Sequence, residues 1–252
     1  MVEKSNKTKT LEVWSRFTVW VKLHQPIARL TIITVVMILF LIFLPAYIKT
    51  YFWHGLQSHK VLAVMLLIFI LLGVSLVWSA GQRLDSWVFL LLNLRGSRPL
   101  WLDRLMLVFT QVGSGFFALS LALLLYLFGP RLLGYELMLG TLSLWMVVEI
   151  LKLIVNRSRP FKRLTQARIL GLRAIGRSFP SGHTSQAFFM ATLVTQHLHA
   201  NVWIAILLYS LALMVGITRM YVGAHYPRDV LAGAILGSVW GFVGVIVEGY
   251  YL

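Results

Sequence analysis

Seven apolar stretches recur along the chain, each close to the length of polypeptide that a lipid bilayer demands. They run over Leu30–Ile48, Val61–Ser79, Leu105–Phe128, Leu132–Val155, Gly182–Ala200, Val202–Met220 and Asp229–Val247. A helix rises about 1.5 Å per residue, so about 20 apolar residues cross a hydrocarbon core of about 30 Å. Only 12% of the residues are charged, against about 25% in a soluble globular domain. The pattern predicts an all-α, polytopic transmembrane helix bundle with no room for a separate soluble domain. Pro45 leaves the first segment open to a tilted or re-entrant path.

The ends and connections carry the charge. Residues 1–29 hold Lys4, Lys7, Lys9, Arg16, Lys22 and Arg29, and no small-residue cleavage site follows the next apolar run. Leu11 to Leu23, with Trp14, Phe17 and Trp20, reads either as an interfacial amphipathic helix or as a tail. Between the second and third runs lies "LDSWVFLLLNLRGSRPLWLD", whose apolar part is too short to span and whose Arg and Trp flanks point to a helix at the membrane surface. The formal charge of +15 fits loops lying against anionic headgroups. No soluble basic module exists to bind nucleic acid, so none is expected. Zero cysteines exclude disulfides and thiolate chemistry. The expected organisation is a tail over 1–29, an extra apolar segment and loop over 30–60, and a core over 61–252.

Three polar clusters stand where spans end. The first, "KLIVNRSRP", places Lys152 and Arg159 at the exit of the fourth span. Lysine as a point charge and arginine as a planar fork both suit phosphate oxygens, and Lys152 can also pair with Glu149 at i,i+3 spacing. The second, "PSGH", opens the fifth span. Pro180 fits a first helical turn, and Ser181 and Gly182 would leave free N–H groups at the positive end of a helix dipole, a ready anion site. His183 beside it can exchange protons with a leaving oxygen. The third, "TRMYVGAHYPRD", carries Arg219, His225 and Asp229. A spacing of four would stack His225 on Asp229 if the helix ran through both, while Pro227 can instead hold His225 in a loop. A carboxylate accepting the ring N–H would fix the tautomer and stabilise a positive ring. Because consecutive spans reverse direction, all three clusters fall on one membrane face.

In this order, the clusters resemble the three signature motifs of the type 2 phosphatidic acid phosphatase (PAP2) superfamily, and the resemblance extends to the helical core over roughly Val61 to Val247. Thr218 stands where the family usually has serine. The resemblance implies a membrane lipid phosphatase, similar to bacterial phosphatidylglycerophosphatase B and undecaprenyl-diphosphate phosphatases. It implies a six-helix core, so the first span and the tail are additions. It implies His225 as the nucleophile of a phosphohistidine, Asp229 orienting it, and His183 as acid and then base. Lys152, Arg159, Arg219, Ser181 and Gly182 would hold the phosphoryl group. No cofactor or metal is implied; His, Asp and Glu do not cluster as ligands, and three cations can supply the electrostatic stabilisation instead.

The expected partners are a membrane lipid phosphate and the bilayer. Two other activities fit the same residues: transfer of the phosphoryl group to an acceptor lipid, and binding without catalysis. Binding alone needs the cations but not an aligned His225 and Asp229. Transport fits less well, because the charges gather at one face and not along a mid-membrane path. Sidedness is contested within the sequence. With seven spans, only Lys49, Lys60 and Arg131 of the 23 Lys and Arg residues lie opposite the site, which would make the site's face cytoplasmic. The resemblance implies instead an extracytoplasmic site in a bacterial cell membrane, and that face is the one expected here.

Overall fold

The computed structural model describes residues 59–93 and 98–248, and every regular element among them is a helix. The basic tail and the Leu30–Ile48 segment lie outside the described residues. Helix α1 (Lys60–Ser75) meets α2 (Ser79–Asn93) at a bend of 97°, and α3 (Leu100–Val112) meets α4 (Gly115–Phe128) at 55°. Then come α5 (Arg131–Val155), the single turn α6 (Pro160–Arg163), α7 (Gly182–His197), α8 (Val202–Tyr221) and α9 (Pro227–Glu248).

Two of the expected spans are reshaped. The second apolar run stops at Ser75 instead of Ser79, where side chains take over carbonyls at the bend. Ser75 Oγ donates to the Leu72 carbonyl (2.7 Å) and Gln82 Nε2 to that of Leu76 (2.5 Å). The third run, expected as one helix over Leu105–Phe128, is two. Ser114 caps α4 by accepting the Phe117 N–H, a strong helix-start signal. A Cβ on the neighbouring Gly113 would lie 2.5 Å from the His183 carbonyl oxygen, so the break sits hard against the start of α7.

Three helical stretches, Arg131–Arg163, Val202–Tyr221 and Pro227–Ile246, are long and apolar enough to cross a membrane, and up to five if each bent pair forms one span. Their outer faces expose Leu139, Trp145, Leu207 and Leu213, as do Leu67, Leu71 and Leu123 on the bent pairs. Helix α7, expected as a span, has 16 residues and reaches only about 24 Å. It is the enclosed helix: ten of its 16 residues are buried, among them Thr184, Ser185, Gln186, Thr192 and Thr195. Polar side chains are tolerated there because they face the bundle and not lipid.

Helix α9 lies along α7 through a stripe of glycines four residues apart. A Cβ would fall 2.7 Å from the Ser181 oxygen at Gly233, 2.1 Å from the Ser185 oxygen at Gly237, and 2.6 Å from Thr192 Cβ at Gly241. Small residues let two backbones approach this closely. An apolar cluster of Ala118, Ala122, Leu137, Leu144, Val148, Phe189, Leu193 and Leu236 then fixes α4 and α5 against the pair. The close α7–α9 contact brings the starts of both helices side by side, where the polar clusters are.

Candidate active site

Helix α5 ends at Asn156, whose left-handed backbone (φ 53°, ψ 33°) turns the chain out of the helix. Asparagine is among the few residues that adopt this conformation readily. One turn earlier, Lys152 Nζ donates to Glu149 Oε1 at 2.7 Å, the pair expected from their spacing. The same Nζ lies 3.9 Å from where a Gly182 Cβ would be, so a lysine and the start of α7 face each other with no side chain between. Past the turn, Arg157 and Arg159 are both buried.

The start of α7 differs from expectation in two details. Gly182 is its first residue and Ser181 its cap, so Pro180 stands outside the helix and not in its first turn. The Ser181 N–H is not free; it donates to the Asp229 carbonyl at 2.9 Å and ties the start of α7 to the start of α9. No side chain caps α7, which leaves the first-turn N–H groups from Gly182 onward for an anion. Ser181 itself is fully buried, and its hydroxyl accepts from Thr184 Oγ1 at 2.9 Å.

The loop from α8 to α9 carries the third cluster. Thr218 donates to the Val215 carbonyl within its own helix (2.6 Å), so its hydroxyl is spent on α8. Arg219 Nη1 donates to Thr110 Oγ1 of α3 at 2.6 Å, while its buried Nε has no partner among the described residues. Gly223 turns the chain at φ +88°, and a Cβ there would meet the Arg168 carbonyl oxygen at 2.2 Å.

His225 lies in this loop, before α9 begins. Its Nδ1 is 2.7 Å from the Ser178 carbonyl oxygen and its Nε2 is 3.1 Å from Arg159 Nη1. A carbonyl only accepts and an arginine only donates. Nδ1 therefore carries the hydrogen and Nε2 presents its lone pair beside Arg159. Burial, with the nearby charges of Arg159 and Arg219 adding to it, lowers the His225 pKa to about 3, so the ring is neutral.

Asp229 does not take the ring N–H. Its Oδ2 is 3.8 Å from Nδ1, too long for a hydrogen bond. The carboxylate instead accepts from Arg157 Nη1 (2.6 Å), the Tyr226 N–H (2.9 Å) and the Ser178 hydroxyl. Because His225 sits in the loop and α9 starts at Pro227, the helical stacking of residues 225 and 229 is lost.

Two cavities, of about 470 and 420 Å³, are both lined by His183. Arg219, Thr110, Gln111 and the segment 169–175 line the first; Lys152, Gly182, Gln186, Val148 and Trp145 line the second. His183 thus borders both a cavity with an arginine and one with a lysine. Among the described residues, no group of three or more His, Asp or Glu side chains could hold a metal ion. The arrangement gathers an unprotonated imidazole nitrogen that accepts from Arg159, a second histidine, three cations and an uncapped helix start.

Sequence reasoning missed Arg157, Ser178 and Asp85. Arg157 lies within "KLIVNRSRP", two residues before Arg159. Asp85 carried a usable signal: it shares an i, i+4, i+8 face with Phe89 and Asn93, all three buried, and a carboxylate on a buried face needs a partner.

The sequence model of the PAP2 superfamily matches residues 132–250. An undecaprenyl-diphosphatase of Sulfolobus acidocaldarius is 28% identical over 79% of this chain and 92% of its own length. Phosphatidylglycerophosphatase B of Bacillus subtilis is 28% identical over 74% and 92%. Among solved structures, Aquifex aeolicus LpxE is 31% identical, covers 63% of this chain and 93% of its own, and superposes with a TM-score of 0.57. The transmembrane PAP2-type phosphatidylglycerolphosphate phosphatase of Bacillus subtilis shares the fold at TM-score 0.66, with 24% identity over 75% of this chain and 96% of its own. With its three motifs gathered at the helix ends and its matches running nearly the full length of these relatives, the chain belongs to the PAP2 superfamily of phosphatases.

Proposed function

We propose that this protein is an integral-membrane lipid phosphatase that hydrolyses a lipid phosphomonoester or diphosphate through a phosphohistidine on His225, without a metal ion. The observation that carries the reading is the unprotonated Nε2 of His225, which accepts from Arg159 Nη1 at 3.1 Å near the uncapped start of α7, a bond that Arg159 would exchange for a phosphoryl oxygen before attack. In the first step Nε2 attacks phosphorus, the bond to the leaving oxygen breaks, and His183 gives that oxygen a proton. In the second, His183 takes a proton from water, the water oxygen attacks phosphorus, and the P–N bond breaks to release phosphate. Lys152, Arg159, Arg219 and the Gly182 N–H stabilise the phosphoryl oxygens, while Ser181 joins the starts of α7 and α9. Asp229 supplies negative charge near the ring that turns positive.

A lipid substrate is supported by the placement of the site at the ends of apolar helices, where a headgroup anchored by its tails would be presented. The relatives are also named for phosphates on lipids: undecaprenyl-diphosphatase, phosphatidylglycerophosphatase B and lipid A 1-phosphatase. In this reading the site faces the extracytoplasmic side. The chain has no cysteine, so Gln166→Cys gives a single label site, and labelling in intact cells by a membrane-impermeant reagent tests the face.

Purified protein in EDTA should release phosphate from phosphatidic acid, phosphatidylglycerophosphate or undecaprenyl diphosphate, and quenching should trap acid-labile phosphate on the protein. His225→Ala should abolish both. Full turnover in that variant would overturn the mechanism.

A further inference from the structure

The mechanism leaves Asp85 without a task, although it is 2% exposed and lies outside all three signature motifs. A carboxylate removed from water requires charged or hydrogen-bonding partners. Asp85 Oδ2 accepts from Arg157 Nη2 and from Arg228 Nε (2.8 Å), and Oδ1 from the Arg228 N–H (3.3 Å). Arg228 Nη1 continues to the carbonyl and hydroxyl of Ser75 at the α1–α2 bend (2.6 and 3.0 Å). Arg157 Nη1 reaches Asp229 Oδ1 at 2.6 Å. Two aspartates and two arginines thus form a charge-balanced chain from that bend to the loop of His225.

We infer that Asp85 is a positioning residue for His225, acting through Arg157, Asp229 and Ser178; this rests on the reading of His225 as the nucleophile. A guanidinium favours two parallel bonds to one carboxylate. Without Asp85, Arg157 can take both oxygens of Asp229. With its Nη2 held by Asp85, Arg157 meets only Oδ1. Oδ2 then remains for the Ser178 hydroxyl and the Tyr226 N–H. Those bonds hold the Ser178 carbonyl on Nδ1 of His225 and fix the backbone that follows the ring. Sharing Arg157 between two carboxylates also leaves Asp229 incompletely neutralised, 3.8 Å from a ring that gains positive charge on attack.

Asp85→Asn keeps the shape and removes the charge. It should lower kcat about 10–100-fold, as loss of an outer residue that orients a reactive group does, with KM within about threefold. This variant leaves two buried arginines facing one carboxylate and can fail to fold, so Asp85→Asn with Arg228→Gln restores the balance. The inference predicts that this neutral double variant melts like wild type yet keeps the low kcat; recovery of kcat would overturn it. Phe89→Leu loosens the same face of α2, where Phe89 meets the Tyr226 ring at 5.7 Å between centroids, without changing charge. If it reproduces the loss of kcat at unchanged KM, Asp85 merely anchors the helix and the inference fails. Ser178→Ala must lower kcat by itself, and combining it with Asp85→Asn must be no worse than the slower single variant. Wild-type kcat in Ser178→Ala, or multiplied losses, would break the path. Turnover by His225→Ala rejects the nucleophile itself; an inactive His225→Ala beside fully active Asp85 variants rejects only the role of Asp85.

Discussion

The Nδ1–H of His225 donates to the backbone carbonyl of Ser178 at 2.7 Å, while Oδ2 of Asp229 stands 3.8 Å from the same nitrogen. In a Ser-His-Asp triad the carboxylate sets the tautomer, and replacing it with an amide costs about 10⁴-fold because the ring flips its proton. Here a carbonyl sets it, and no side-chain substitution removes a carbonyl. Asp229→Asn should therefore keep the tautomer and lose only counter-charge and loop geometry. We expect kcat to fall about 10²-fold, the scale of one electrostatic contact in the transition state. Steady-state kinetics on the purified variant measures this, and a loss near 10⁴-fold would mean that Asp229 takes the ring proton in the working enzyme.

The neutral state of His225 has a pH signature. Its pKa is lowered to about 3 in the fold, against about 6.5 in an unfolded chain. Below pH 6.5 the unfolded chain binds a proton that the folded protein refuses, so stability falls as pH drops from 6.5 towards 3. Above 6.5 both states are neutral and the contribution vanishes. His225→Gln should remove this part of the slope, flattening melting temperature against pH between about 4 and 6.5 and leaving the curve above 7 parallel to wild type. An unchanged slope would contradict the assignment.

Two glycines in helices should respond oppositely to alanine. At Gly237 a Cβ would lie 2.1 Å from the Ser185 carbonyl oxygen, whereas at Gly73 nothing lies within 4 Å. Gly237→Ala should push α9 off α7 and cost about 1–3 kcal/mol. Gly73→Ala should be stabilising by about 0.5–1 kcal/mol, because glycine in a helix interior carries excess backbone entropy when unfolded. Reversible unfolding of the detergent-solubilised protein compares them.

Thr110 holds Arg219 from outside the motifs. Its Oγ1 accepts from Arg219 Nη1 at 2.6 Å, and a hydrogen bond to a charged group contributes about 1.5–3 kcal/mol. Thr110→Val keeps the shape and removes the acceptor, releasing the guanidinium. KM for a lipid phosphate should rise about tenfold or more, since about 1.4 kcal/mol is a factor of ten. An unchanged KM would show that Arg219 holds its place without Thr110.

The sequence announced the helical bundle because a bilayer imposes one length and one polarity on whatever crosses it. It also placed Lys152, Arg159, His183, Arg219, His225 and Asp229 together at span ends, because they stand in short, regularly spaced motifs. The breaks were harder to read. Leu105–Phe128 is apolar enough to read as one span despite Gly113 and the capping Ser114, and that the chain packs there against the His183 carbonyl, 70 positions away, is visible only in the fold. The interior position of α7 was hidden for a related reason: hydropathy scores a helix against lipid, whereas α7 is surrounded by other helices and can carry threonine and serine.

By itself, the sequence determined which residues could do chemistry and that they would gather at helix ends, since periodicity and hydropathy are local properties. Tertiary structure alone decided how they are wired. Asp85 reaches Arg157 across 72 residues and Ser178 reaches Asp229 across 51, and hydrogen bonds between such distant positions leave no periodic trace. The ring proton of His225 follows a backbone carbonyl, an atom every residue has, so only the folded path of the chain could select Ser178 for that role.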